Sequence, residues 1–127
     1  MTLAHQLVLY AALAVLAVSL VVPGLIGVFK PGIGRTWLVA ETVDASNHLR
    51  ALNAMMAALG AVALYACWEI ERSRLLVLAL GAVMAALVVA RITSLIVDGR
   101  PGIWTLVYLA VELVLAALFL GWPPPRV

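Results

Sequence analysis

Hydrophobic residues fill this chain in four long blocks, and clusters of charge, glycine and proline separate them. A helix needs about 20 mostly apolar residues to cross the hydrocarbon core of a bilayer. Four windows meet that length: about Leu3 to Val28, about Asn47 to Trp68, about Arg74 to Val97 and about Ile103 to Trp122. Apolar and polar positions do not alternate, and Ala and Leu dominate over the β-branched residues that a membrane barrel favours. The pattern predicts an all-α fold: one integral membrane domain over residues 1–127, built as a four-helix transmembrane bundle.

The breaks between blocks predict three connections. The first runs from Phe29 to about Ser46 and opens with Lys30-Pro31-Gly32-Ile33-Gly34-Arg35, which ends a helix. Its middle, Thr36 to Ala40, is apolar again and predicts a short interfacial or re-entrant piece, with Trp37 at the headgroup level. Asp44 or Ser46 is expected to cap the second helix, since their side-chain oxygens accept free N–H groups. Glu69 to Arg74 is a short charged turn. Asp98-Gly99-Arg100-Pro101-Gly102 is a tight one, and Pro123-Pro124-Pro125 ends the fourth helix.

The first block is too long for a signal-peptide core of roughly 7–15 residues, and no lysine or arginine precedes it, so it reads as a permanent helix. Four spans put both termini on the same side as the Glu69–Arg74 turn. The positive-inside count is nearly balanced, with Lys30, Arg35 and Arg100 on the other side and Arg50 near the boundary, but Arg72 and Arg74 packed in one short turn, with Arg126 in the tail, favour a cytoplasmic side for the termini.

Composition supports the membrane reading and narrows the chemistry. The chain is 66% hydrophobic and 11% charged, against about 45–50% and about 25% in soluble domains. So much apolar surface does not fit inside so small a core, and lipid is what covers it. The net charge is +2 and the basic residues are scattered, which excludes a nucleic-acid partner. Cys67 is the single cysteine, so no internal disulfide forms, and within its apolar run it reads as a packing residue. His5 and His48 stand alone, so neither a metal site nor a cofactor is expected. No catalytic triad and no phosphate-binding glycine loop is present, and no catalytic residues are assigned.

The informative residues are charges inside the apolar blocks. An arginine or aspartate at the centre of a spanning helix costs about 2.5–3.5 kcal/mol on insertion scales. Arg91 precedes Asp98 by seven residues and Glu112 follows Ile103 by nine, which places them about 10 and 13 Å from the same side. These depths predict that Arg91 and Glu112 pair. Further polar residues gather in that half. Asn47, Arg50 and Asn53 make one stripe on helix two; Arg91, Ser94 and Asp98 make another on helix three; Trp104, Tyr108 and Glu112 make a third on helix four. With Arg100, these residues outline a pocket between helices two, three and four for a lipid head group or a small amphipathic or anionic molecule, with Trp104 and Tyr108 as its apolar wall.

Two further readings stand beside the pocket. The charges serve equally to staple helices in an accessory subunit of a larger membrane complex. A membrane enzyme with Glu112 as acid or base needs a second catalytic group beside it. In the opposite half, small residues such as Ala57, Gly60 and Ala61 on helix two and Gly81, Ala85 and Ala86 on helix three suit close packing, either within the chain or in a homo-oligomer.

Four stretches together resemble a known family: Asn47-His48-Leu49-Arg50 leading to Gly60, Arg91-Ile92-Thr93-Ser94-Leu95, Asp98-Gly99-Arg100-Pro101, and Glu112-Leu113. The chain resembles the DUF4345 proteins, small bacterial four-helix membrane proteins of unknown function, over nearly its whole length. The resemblance implies the four-helix membrane architecture and assigns no activity. Such proteins tend to have a glycine soon after the arginine of helix two, where this chain has Asn53 and Ala54.

Overall fold

The structure, a computed structural model, describes residues 1–32 and 41–126. Among the described residues four helices carry the chain, α1 (Leu3–Phe29), α2 (Val43–Trp68), α3 (Arg74–Val97) and α4 (Ile103–Gly121), with a 3-10 turn at Ile70–Arg72. There is no strand among the described residues. All four helices are long and apolar enough to cross a membrane, so the chain is a multi-pass membrane protein. Even the shortest, α4 with 19 residues, covers about 28 Å at 1.5 Å per residue. The expected interfacial piece around Trp37, and Arg35 beside it, lie outside the described residues.

The chain divides into two compact units, Met1–Leu9 with Glu69–Val127, and Tyr10–Trp68. The first is built on the α3–α4 hairpin. Gly99 turns it with a φ of +95°, a left-handed conformation that costs glycine little because it has no Cβ. The Asp98 N–H donates to the Ser94 carbonyl at 2.7 Å, and the Ser94 hydroxyl donates to the Asp98 carboxylate at 2.8 Å. Val77, Leu80, Met84 and Val88 bury one face of α3, and Leu115 and Phe119 bury a face of α4. From Val89 to Val114 no residue is buried, so packing is concentrated away from the Asp98–Gly102 turn. There the two termini are fastened. The His5 ring stacks on Trp122 at 4.2 Å, and its Nε2 meets the Trp122 carbonyl at 2.8 Å. Arg74 donates to the carbonyl of buried Pro124 at 2.5 Å.

The second unit packs the rest of α1 on α2. A Cβ on Gly24 would lie 2.8 Å from the Ala57 nitrogen and the Asn53 carbonyl oxygen, so this glycine is what lets the two backbones come together. One turn on, the Asn53 carboxamide occupies the space where a Gly27 side chain would sit. Asn53 is thus received by a glycine on the partner helix. Pro23 lies inside α1 and has no N–H for the Ser19 carbonyl. The Ser19 hydroxyl itself turns back to the Val15 carbonyl at 2.7 Å.

The start of α2 differs from expectation. It begins at Val43, four residues before Asn47. Thr42, rather than Asp44 or Ser46, caps it: the Ala45 N–H donates to Thr42 Oγ1 at 3.0 Å. The reason is geometric, since only a residue just ahead of the first turn can reach the free N–H three positions on. Asp44 lies within the first turn, where its charge complements the helix dipole.

Candidate functional site

Arg91 and Glu112 come together across the α3–α4 hairpin. Arg91 Nε donates to Glu112 Oε2 at 2.5 Å, and Nη2 donates to Oε1 at 2.8 Å. This fork-to-fork geometry is the strongest form of such a pair, because two charge-assisted bonds align at once. The Glu112 side chain is 13% exposed and that of Arg91 32% exposed. Tyr108 lies one turn before Glu112, and its ring centroid is 5.8 Å from Arg91 Cζ, within cation–π range.

Beside the pair lies a half-open cleft of about 310 Å³ between α3 and α4. Its polar lining includes Arg91 and Ser94, and its walls are largely Leu87, Leu95, Leu106 and Leu109. Ser94 is held by its bond to Asp98. The pair is formally neutral, so the cleft presents a fixed dipole and hydrogen-bonding groups above a hydrocarbon wall. Every buried side-chain nitrogen and oxygen among the described residues has a hydrogen-bond partner.

The other residues picked out by the sequence fall elsewhere. Asp98 and Arg100 are exposed at the turn; Trp104 and Tyr108 are exposed on α4 and do not line the cleft. Asn47 is exposed on α2. Arg50 donates to the Val28 and Phe29 carbonyls, the free acceptors at the C-terminal end of α1. Buried Asn53 donates to the Leu49 carbonyl of its own helix at 2.8 Å. Sequence reasoning missed the leucines of the cleft. Leu87 and Leu95 lie four residues either side of Arg91, so helical spacing alone puts them on its face. No group of three His, Cys, Asp or Glu residues suited to a metal ion occurs among the described residues.

A family model described as a domain of unknown function, DUF4345, matches residues 8–123, nearly the whole chain and all of the cleft. No curated protein matches the chain, and no solved structure does.

Proposed function

We propose that this chain, which belongs to the DUF4345 family, holds a lipid-like or small amphipathic molecule in the cleft of its α3–α4 hairpin, for binding or for transport. The observation that carries this reading is the position of the cleft against the Arg91–Glu112 pair. Ionisable groups inside a spanning helix are costly, and where they persist they most often mark a site of use. A volume of about 310 Å³ is at the small end for ligand pockets, which run to about 1,000 Å³. It suits a head group or a short amphiphile. Arg91 and Ser94 would take its polar end, the leucines its alkyl part. Asp98, Arg100, Trp104 and Tyr108 would flank the approach from the headgroup region. In this reading Asn47, Arg50 and Asn53 serve α1 and α2 instead.

The bidentate geometry, which satisfies both oxygens of Glu112, favours a second reading. In it the pair is a staple, and the chain is an accessory subunit of a larger membrane complex or of a homo-oligomer. For either role we propose a bacterial inner membrane, as the family resemblance implies, with the termini in the cytoplasm on the strength of Arg72, Arg74 and Arg126.

Native mass spectrometry of the full-length protein in detergent separates the readings. The pocket reading expects a retained lipid or amphiphile that is lost in Ala90→Leu, a substitution that fills the cleft and leaves the ion pair in place. Wild-type protein that flies clean, or an Ala90→Leu variant that keeps as many adducts per chain as wild type, would sink it.

A further inference from the structure

A second groove lies at the other end of the α3–α4 hairpin, where α3 begins. It measures about 460 Å³ and is lined by Glu71, Arg72, Arg74, Leu75, Leu78 and Arg126. Its two ends differ in chemistry. Arg72 and Arg74 flank the start of α3, and Arg126 approaches from the tail. Leu75 and Leu78 continue the groove down one face of α3. Leu75 is 78% exposed, and it stands at the head of an apolar run that carries no charge until Arg91.

Three arginines and one carboxylate, Glu71, line the groove, so its formal charge is positive. Among the described residues the ion pair is Arg91 with Glu112, so neither Glu71 nor Glu69 forms a salt bridge with any of them. Three guanidinium groups around one groove repel each other, and an anion between them relieves that repulsion. Arg74 is already oriented by its bond to the Pro124 carbonyl at 2.5 Å, so part of the ordering is done before a ligand arrives. The groove sits at the end of a membrane-spanning helix. Guanidinium groups there stand level with lipid phosphates, whose oxygens match the arginine fork.

We propose that this groove binds the phosphate of an anionic phospholipid, whose acyl chains lie along Leu75 and Leu78. The geometry of cations above an exposed leucine face is that of an amphiphile standing at the membrane surface. The site is separate from the cleft at Arg91 and does not depend on it.

The test uses the purified full-length protein in mixed micelles holding equal amounts of phosphatidylglycerol and phosphatidylcholine with the same acyl chains, read by native mass spectrometry. Phosphatidylglycerol adducts are expected to predominate. Each basic residue near an anionic lipid surface contributes about 1 kcal/mol, or about fivefold. R72Q/R126Q should therefore bind phosphatidylglycerol about 25-fold more weakly, with little change for phosphatidylcholine, and R72K/R126K should retain most of the preference. Should the double glutamine variant fail to fold, R126Q alone, beyond the end of α4, should still show about a fivefold loss. Equal binding of the two lipids by wild type overturns the proposal, as does unchanged binding by R72Q/R126Q or, where that variant does not fold, by R126Q. Displacement of the lipid by inorganic phosphate would reassign the site to a free anion and overturn the lipid assignment.

Discussion

Arg91 and Glu112 each lose their partner if the other is removed, and the group left behind sits inside a spanning helix. Breaking a fully buried pair costs about 3–5 kcal/mol, because one charge stays uncompensated. An exposed pair is worth about 0–1 kcal/mol. With Arg91 one-third exposed and Glu112 nearly covered, Arg91→Ala and Glu112→Ala should each cost about 2 kcal/mol, between those limits. Denaturant titration in micelles, followed by circular dichroism, measures this. The swapped variant R91E/E112R should recover much of the loss if pairing is what matters to stability. Gly24 tests a different quantity. Its added Cβ would meet backbone atoms of α2 at 2.8 Å, and backbone does not rotate aside. Gly24→Ala should lower stability by about 1–3 kcal/mol through overpacking. Gly121→Ala, with nothing within 4 Å of the new atom, should be neutral or slightly stabilising in the same titration.

Among the elements, α1 and α2 end in arrangements that single residues close. Thr42 caps α2 with one hydrogen bond to Ala45. Thr42→Ala should cost about 1 kcal/mol, the usual value of an N-cap. The loss should appear as faster amide exchange confined to the first turn of α2, with the middle of the helix unchanged. Arg50 closes the α1 side of the same end by covering the last carbonyls of that helix. The α3–α4 hairpin shows how an element divides its labour. Glycine and the Ser94–Asp98 bond set its turn, buried residues such as Leu80 and Phe119 join the far end, and the stretch between carries the charges.

For the molecule as a whole, four helices of spanning length fix a topology that labelling can test. In a Cys67→Ser background, single cysteines at Thr2, Glu71 and Arg126 should react with a membrane-impermeant thiol reagent from one side. Cysteines at Asp44 and Gly99 should react from the other. A Thr2 cysteine and an Arg126 cysteine labelled from opposite faces would contradict an even number of crossings. The stacking of His5 on Trp122 agrees with that arrangement, because it gathers the N-terminus, the Glu69–Arg74 turn and the tail in one compact unit.

The sequence by itself determined the number and place of the helices, and their ends except at the start of α2, which lies at Val43 rather than Asn47. The physical reason is that hydrocarbon excludes unpaired backbone groups, so an apolar run of this length has the helix as its way to cross. α3 was legible to the residue at both ends, since Arg74 and Val97 border abrupt changes of polarity. The Arg91–Glu112 pair was legible for a related reason: a tight turn sets the depth of both partners by counting residues. What the tertiary structure decided lay in side-chain direction and neighbours. Arg50 and Asn53 share a stripe with Asn47, yet Arg50 reaches α1 carbonyls and Asn53 settles over Gly27. Stripe spacing says which residues share a face and nothing about which neighbour that face meets. The cleft leucines and the arginine groove at the start of α3 were hidden for the same cause. Leucine is the commonest lining of any membrane helix, and Arg126, far along the chain from Arg72 and Arg74, lines a groove with them only because the fold brings the tail back to α3. The four hydrophobic blocks therefore specify the membrane architecture, and packing between helices selects which polar residues meet.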